Sequence, residues 1–226
     1  MPEPSSPDVT PSRSVGDFLK TVYMLQQQME RVSTNALADA LNILPPSVTD
    51  MARRMAKAGL VDYRKYYGVV LTEEGERVAL QVIRRHRLIE LYLVRELGYG
   101  LHEVHTEADR LEHAVSDYFV EALATKLGNP QFDPHGDPIP TSEGSIARRE
   151  LVALAELPLD TPATISRFIA EENDMLEHII ERGFRLDAKI AVIARDPFDG
   201  PITVRVNGDQ LIIGHNVATS ILVQPS

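Results

Sequence analysis

The 226-residue chain contains no cysteine and no long apolar run. Without cysteine, disulfide bonds, thiolate zinc sites and iron–sulfur clusters are excluded. The sequence shows no apolar segment of the kind that a signal peptide carries. No stretch approaches the roughly 18 apolar residues that a transmembrane helix needs. We therefore expect a cytoplasmic protein that has no membrane partner.

Basic residues are also in short supply, with 23 Lys and Arg against 33 Asp and Glu, a net charge of −10. Taken whole, this balance is unfavourable for binding nucleic acid. However, residues 1–89 hold 12 basic and 10 acidic groups (net +2), whereas residues 90–226 hold 11 and 23 (net −12). Such an asymmetry indicates a nucleic-acid-binding part joined to an acidic part.

The N-terminal third has the pattern of a winged helix-turn-helix. Residues 1–13, rich in proline and serine, are predicted to be a disordered tail. Apolar spacing and capping residues then predict three helices, at 16–29, 36–41 and 45–59, followed by two short strands, at 60–63 and 69–71. Helix, turn, helix and basic hairpin together predict a DNA-binding domain over 14–75.

The third helix of this domain is predicted to enter the major groove, and the hairpin to contact the phosphates or the minor groove. The candidate DNA-binding residues are Pro46, Ser47, Thr49, Asp50 and Arg53 on the helix, and Arg64, Lys65 and Tyr67 on the hairpin. The alternative is a winged helix that contacts only protein. Nine basic against five acidic residues within 50–87 favour DNA.

The rest of the chain divides into a helical part and a β-rich part. Two helices, at 74–97 and 104–127, are too apolar for solvent, which predicts a helical dimerisation domain over 76–141 and a homodimer. After a linker at 142–156, short β-rich runs with turn signals predict a small all-β SH3-like barrel over 157–226. The predicted fold is thus mainly α, with an SH3-like barrel at the C-terminus.

Imidazole and carboxylate groups recur at helical spacing on the two long helices. His86 and Glu90 are four residues apart on the first, and the second carries His105, Asp109, Glu112 and His113. Helical bundles build metal sites from such facing groups. Nitrogen and oxygen ligands without sulfur suit Mn, Fe(II), Co, Ni or Zn. The alternative is a solvated acidic face with incidental histidines.

An ordered set of motifs carries a family resemblance from about Val15 to the end. The motifs are Tyr23-Met24-Leu25, Pro46-Ser47-Val48-Thr49, Gly68-Val69-Val70-Leu71-Thr72 with Gly75, His86-Arg87-Leu88 with Glu90, Val104-His105, Glu112-His113, and the loop from Phe132 to Pro140. With them the chain resembles the diphtheria toxin repressor family of metal-dependent transcriptional repressors, which includes the manganese-responsive MntR branch. The C-terminal barrel resembles the FeoA-type domain of longer members.

The resemblance implies two metal sites. The primary, activating site corresponds to Asp17, Asp109, Glu112 and His113. The ancillary site corresponds to His86, Glu90 and His105, with Glu172 as the best match for a ligand from the SH3-like domain. The iron branch has Met and Cys where this chain has Asp17 and Asp109, so hard oxygens favour Mn²⁺, with Fe²⁺ as the alternative.

Two residues of the first helix complicate this correspondence. Asp17 also fits a capping box, in which it would serve only the start of the helix. Lys20 stands where the manganese branch has a Glu, so the dinuclear arrangement of that branch is not fully carried over.

The resemblance implies a homodimeric repressor of metal-uptake genes that binds a palindromic operator, with no organic cofactor and no enzymatic activity. Without metal, the three carboxylates of the primary site are expected to repel one another and let the first helix drift. With metal, the two recognition helices of the dimer would be held at a fixed spacing.

Two alternatives remain from the residues alone. One is a winged-helix regulator that senses an organic ligand. The other is a metal-assisted hydrolase, although the chain has neither a Ser or Cys nucleophile motif nor a Gly-rich phosphate loop.

Overall fold

The structure, a computed structural model, describes residues 12–169 and 173–226. They form two compact units. The first holds the described residues up to Ile89 together with 108–130 and 139–146, and the second holds 90–107, 131–138 and 147–226. No helix within these described residues is long and apolar enough to cross a membrane.

The first unit begins with three helices and a hairpin. Their bounds are α1 (Arg13–Gln26), α2 (Thr34–Leu41), α3 (Pro45–Lys57), β1 (Val61–Arg64) and β2 (Gly68–Leu71). The predicted cap of α2 is confirmed, because the Ser33 hydroxyl accepts a hydrogen bond from the Ala36 N–H at 3.1 Å. Residues 1–11 of the predicted tail lie outside the described residues, and its last residue, Arg13, already belongs to α1.

An apolar core joins these elements into a winged helix-turn-helix. The fully buried side chains share it across all three helices and the hairpin: Phe18, Leu19, Val22, Leu37, Val48, Ala52 and Val69. Helix α1 therefore has one face committed to the core of the DNA-binding fold.

The helical part of the chain that follows the hairpin differs from its prediction at one place. Helix α4 (Glu73–Leu97) is confirmed, but the helix predicted at 104–127 is wrong. It is two helices, α5 (Val104–Leu111) and α6 (Asp117–Lys126). The break has a local cause, because the Ser116 hydroxyl accepts from the Phe119 N–H at 3.3 Å and starts a new helix there. Glu112 and His113 consequently lie in the turn between α5 and α6.

The second unit is built on a six-stranded antiparallel sheet of order β3-β8-β4-β5-β6-β7. Its elements are β3 (Val152–Ala153), a 3-10 turn (Leu154–Glu156), β4 (Ala163–Phe168), α7 (Asn173–Glu181), β5 (Lys189–Arg195), β6 (Ile202–Val206), β7 (Asp209–Ile213), α8 (His215–Thr219) and β8 (Ile221–Pro225). This all-β sheet with two short helices agrees with the predicted SH3-like domain.

The linker predicted at 142–156 extends too far. Val152 pairs with Val223 of β8, and Leu154 is fully buried in the core of the sheet. A strand of two residues is too short to show the alternation by which strands are recognised in a sequence.

Gly75, in the first turn of α4, lies against the backbone of the chain just before β1. A Cβ atom at this position would lie 1.8 Å from the Leu60 carbonyl oxygen. We expect Gly75→Ala to lower the free energy of unfolding by about 3 kcal/mol, the upper end of overpacking costs, as measured by urea denaturation. Gly214→Ala is the control, since a Cβ there meets nothing within 4 Å and φ is −69°. Equal destabilisation in both variants would contradict this packing.

Candidate metal centre

Two segments of the first unit, far apart in the sequence, bring a donor cluster together. Asp17 on α1 and Glu112 and His113 in the turn after α5 offer ligand atoms that all lie within 4.8 Å of one another. His113 Nε2 is 2.9 Å from Asp17 Oδ1 and 3.2 Å from Glu112 Oε1. Two carboxylates and one imidazole fit a first-row divalent cation. Three of the four predicted primary-site residues are therefore neighbours.

Asp17 is not a cap. Helix α1 begins at Arg13, with Ser12 at the N-cap position and no acidic residue in its first turn. Because the helix starts three residues earlier than predicted, Asp17 lies beyond the region where a capping box acts. The alternative reading of Asp17 as a capping residue is thus wrong.

Asp109, the fourth predicted ligand, lies in a neighbouring part of the cluster. Its Oδ1 accepts a hydrogen bond from Lys20 Nζ at 3.2 Å and is 3.3 Å from His86 Nδ1. The same ammonium group is 3.3 Å from Glu112 Oε2 and 3.1 Å from His86 Nδ1. A lysine side chain therefore sits among an imidazole and two carboxylates.

Sequence reasoning missed this role of Lys20. The expectation that the carboxylates repel one another and release α1 left out the ammonium group, which neutralises part of their charge. The sequence could have indicated this position of Lys20. Residues three apart on a helix are neighbours, and Lys20 follows Asp17 by three residues on α1.

Glu112 is shared by both parts of the cluster and has a side chain only 1% exposed. Burial raises the pKa of Glu112, but the hydrogen bond with His86 Nδ1, at 2.5 Å, and the charge of Lys20 together lower it more. The pKa of Glu112 therefore lies below its ordinary value, and this buried side chain is ionised at neutral pH. Arg85 supports the turn by donating to the Glu112 carbonyl oxygen at 3.2 Å.

A second donor cluster lies in the second unit around Glu90, whose side chain is 3% exposed. His105 Nδ1 is 3.1 Å from Glu90 Oε1, which brings together two of the three predicted ancillary ligands. Glu90 also offers a ligand atom within 4.8 Å of those of Asp133 and His135. His86, the remaining ancillary candidate, contacts Glu112 and Lys20 in the first unit.

Asp133 and His135 belong to a tight loop that sequence reasoning used only as a family motif. Asp133 Oδ1 accepts hydrogen bonds from the N–H groups of His135 and Asp137, both at 2.8 Å. His135 Nε2 lies 3.2 Å from the Leu101 carbonyl oxygen, which leaves Nδ1 directed toward Glu90, at 3.8 Å from Oε2. This arrangement holds the imidazole in a defined orientation, as the outer partners of metal ligands do.

Backbone contacts attach this loop to strand β4. The Phe168 N–H donates to the His135 carbonyl oxygen at 2.9 Å. Gly136 has φ +89°, and a Cβ there would lie 2.1 Å from the Ser166 carbonyl oxygen, so only glycine fits. Glu172, the ligand predicted from this part of the chain, lies outside the described residues, and Asp174 is exposed at the start of α7.

The predicted DNA-binding residues lie on the exposed side of α3 and at the tip of the hairpin. Val48, Ala52 and Met55 turn inward, while Pro46, Ser47, Asp50 and Arg53 are exposed and Thr49 is half-buried. Ser47, Asp50 and Arg53 line a shallow groove with three residues not predicted, Met51, Arg54 and Lys57. Arg64, Lys65 and Tyr67 are exposed around the hairpin turn.

Asp50, an unexpected acid on the helix that is predicted to enter the major groove, has a local partner. Its Oδ1 lies 3.5 Å from Arg53 Nη1, one turn along α3. The acid therefore offsets one positive charge of this surface.

Comparison with known proteins assigns the family. Three family models match successive parts of the chain: the iron dependent repressor N-terminal DNA binding domain over residues 12–69, the iron dependent repressor metal binding and dimerisation domain over 72–141, and the FeoA domain over 152–225. The iron-dependent repressor IdeR of Mycobacterium tuberculosis is 30% identical over 220 residues, covering 92% of this chain and 95% of that protein. The chain belongs to the diphtheria toxin repressor family.

Solved structures agree with this family membership. A manganese-dependent transcriptional repressor in complex with manganese shares 37% identity and a TM-score of 0.85, covering 94% of this chain and all of the other. The manganese regulator SloR shares 30% identity and a TM-score of 0.73, covering 96% of this chain and all of the other.

Membership of the diphtheria toxin repressor family decides between the three functions that the residues alone allow: a metal-dependent repressor, a regulator that senses an organic ligand, and a hydrolase. The chain is a metal-dependent, DNA-binding transcriptional repressor with a dimerisation domain, and it binds a divalent metal. The family consists of repressors and not of enzymes, so the hydrolase alternative is wrong, and metal dependence replaces the organic-ligand alternative.

The lowered pKa of Glu112 predicts a pH dependence of stability in this repressor. Its ordinary value of 4.5 is lowered in the folded state. The ionised carboxylate thus stabilises the fold above pH 4.5, and this contribution is lost as the pH falls through the folded-state pKa. In the presence of a chelator, Glu112→Gln should lower the free energy of urea unfolding by about 3 kcal/mol at pH 7.

The difference between Glu112→Gln and the parent chain should shrink below pH 4.5, where the parent loses the same charge. Glu150→Gln, at an exposed position, is the matched control and should leave the unfolding free energy unchanged at every pH. A destabilisation by Glu112→Gln that stays constant from pH 7 to pH 3 would contradict the lowered pKa.

Proposed function

We propose that this repressor responds to Mn²⁺, with Fe²⁺ as the weaker activator, and that it controls genes for metal uptake. One observation carries the proposal: Asp17, Glu112 and His113 join α1 of the DNA-binding fold to the turn after α5 through oxygen and nitrogen donors alone. Hard oxygen donors without sulfur suit Mn²⁺ better than a site with soft sulfur ligands does. The manganese-dependent relatives, similar over nearly their whole length, support the same choice.

In this proposal Asp17, Glu112 and His113 hold the activating ion, which supplies the positive charge that their carboxylates need to stay together. Asp17 lies next to Phe18, which is buried in the core of the winged helix. Ligation at Asp17 would consequently fix the position of the whole DNA-binding fold. Operator binding and metal binding would then strengthen each other by the same factor, as linkage requires.

We also propose an ancillary site that uses His86, Glu90 and His105, with Glu172 as a further ligand. The contact between His105 and Glu90 supports it, and Asp133 and His135 add donors beside Glu90. This site would stabilise the repressor and not activate it directly, because it contains no residue of α1.

For DNA recognition we propose that α3 presents Pro46, Ser47, Thr49, Asp50 and Arg53 to the major groove of a palindromic operator. Arg64, Lys65 and Tyr67 would contact the backbone. A homodimer would place two copies of α3 one helical turn of DNA apart. Exposed aromatic side chains on α6, Tyr118 at 87% and Phe119 at 46%, suit an interface between the two copies.

The test is fluorescence anisotropy of a palindromic duplex titrated with the repressor in chelator, in Mn²⁺ and in Fe²⁺. We expect Mn²⁺ to tighten DNA binding by about 5- to 150-fold, the usual range of allosteric coupling, and Fe²⁺ to do so less. Asp17→Ala and His113→Ala should abolish the response while the protein remains a dimer by analytical ultracentrifugation.

His178→Ala is the matched control, because His178 is an exposed histidine of α7, and it should respond to Mn²⁺ like the parent chain. Equal DNA affinity with and without metal in the parent chain would refute the proposal, and so would a full Mn²⁺ response in His113→Ala.

The hairpin turn provides a separate test of the DNA interface. Lys65 is exposed, with Nζ 4.7 Å from the centre of the Tyr66 ring. If Lys65 contacts one phosphate, Lys65→Ala should reduce the slope of log K against log salt by about 0.9, equally on every DNA sequence. Lys189→Ala, in strand β5, should leave the slope unchanged. An unchanged slope in Lys65→Ala would contradict the proposed contact between the hairpin turn and the DNA phosphates.

A further inference from the structure

The hairpin turn between β1 and β2 has a backbone conformation that its sequence does not favour. The Tyr67 N–H donates to the Arg64 carbonyl oxygen at 3.0 Å, which closes a four-residue turn. Tyr66, the third residue of this turn, has φ +70°, whereas Lys65 before it is not in the positive-φ region. Positive φ at the third residue alone is typical of a type II turn, which favours glycine or asparagine at that position.

Tyr66 gains little from the fold in return for this strain. Of the eight non-glycine residues with positive φ in the described part of the chain, six are Asn or Asp, and Tyr66 and Phe198 are the two aromatic exceptions. Tyr66 is 89% exposed, so its ring buries almost no apolar surface. An exposed aromatic side chain on a strained backbone indicates a contact that is made outside the folded chain.

The neighbours of Tyr66 indicate the chemistry of that partner. Lys65 Nζ lies 4.7 Å from the centre of the Tyr66 ring, and Arg64 on the same turn is exposed as well. Two positive charges beside an exposed aromatic ring suit a polyanion such as DNA. Phe198, in the second unit, is instead followed directly by Asp199. The two strained aromatic residues therefore differ in the charge around them.

We propose that Tyr66 is the hairpin residue that enters the minor groove beside each half of the operator, and that its hydroxyl group recognises A·T base pairs there. This inference rests on the proposed function, in which the hairpin turn contacts DNA. In the minor groove an A·T pair presents only acceptors, to which a phenol O–H can donate, whereas a G·C pair adds an amino group. A narrow A·T-rich minor groove is also more negative, which favours the basic neighbours of the ring.

The strain and the DNA contact predict opposite effects of one substitution. Tyr66→Gly introduces the residue that φ +70° suits, so its urea midpoint should equal or exceed that of the parent. The same variant should bind a palindromic duplex in Mn²⁺ about fivefold or more weakly, as measured by fluorescence anisotropy. Tyr66→Asn, which also tolerates positive φ and is less flexible than glycine, should show the same two effects. Unchanged DNA affinity in both variants would overturn the proposal, whatever their midpoints.

Phe198→Gly is the matched control for the relief of strain. Phe198 is 100% exposed and has φ +60°, so glycine should be tolerated there for the same reason as at Tyr66. We expect Phe198→Gly to keep or raise the urea midpoint and to bind DNA like the parent. A loss of DNA affinity in Phe198→Gly equal to that in Tyr66→Gly would overturn a specific role for the hairpin tyrosine.

Tyr66→Phe tests the hydroxyl group, since it keeps the ring and the strained backbone. Its DNA affinity is compared with that of the parent on two palindromic duplexes that differ only in the base pairs flanking each half, A·T in one and G·C in the other. The parent should prefer the A·T flanks by about fivefold or more, within the range of single base-pair effects, and Tyr66→Phe should lose this preference. Equal affinity of the parent for both duplexes would overturn the recognition of A·T pairs.

The salt dependence of Lys65→Ala separates this inference from the proposed function. A reduced slope in Lys65→Ala together with weaker DNA binding by Tyr66→Gly supports both. A reduced slope in Lys65→Ala with parental DNA affinity in Tyr66→Gly overturns the role of Tyr66 and leaves the proposed hairpin contact intact. An unchanged slope in Lys65→Ala overturns the hairpin contact, and the inference about Tyr66 with it.

Discussion

The buried carboxylate of Glu112 is the constraint on which the first unit depends. A charge with a side chain 1% exposed is stable only if it is paired and hydrogen-bonded. Its partners are His86, Lys20 and His113, which come from α4, from α1 and from the turn after α5. Because one carboxylate needs all three, these segments must stay together, and the same requirement creates the donor cluster of the candidate metal centre.

In the proposed function, this constraint would link metal binding and DNA binding through α1. The helix buries Phe18, Leu19 and Val22 in the core of the winged helix, and it places Asp17 and Lys20 in the cluster around Glu112. A change in the charge of the cluster therefore acts on a helix that cannot move without the DNA-binding fold. Coupling of this kind would need no long pathway, since one rigid element would belong to both proposed sites.

In the second unit, too, a buried carboxylate has donor side chains grouped around it. Glu90 is a buried carboxylate in contact with His105, and the loop that carries Asp133 and His135 is attached to the backbone of β4. Here the donors are positioned by a tight loop whose glycine allows close approach to the sheet. The FeoA-type domain thus contributes to the surroundings of Glu90 through its backbone.

Local chemistry alone determined most of the secondary structure and the residue types of the site. Helix α4 begins within one residue of the predicted start and ends at the predicted residue, and Ser33 caps α2. The absence of cysteine and the aspartates at 17 and 109 determined that the candidate metal-binding side chains offer oxygen and nitrogen donors and no thiolate sulfur. The secondary structure depends on residues close together in the chain, and the donor types depend only on which residues the chain contains.

Only the tertiary structure decided how the donors are grouped. The helix break before Ser116 moved Glu112 and His113 into a turn, Asp109 turned toward Lys20 and His86, and Asp133 and His135 approached Glu90. Lys20 meets His86 and Glu112 across 66 and 92 residues of sequence. No local pattern encodes such a meeting, because it depends on how apolar faces pack and on the need of each buried charge for a partner.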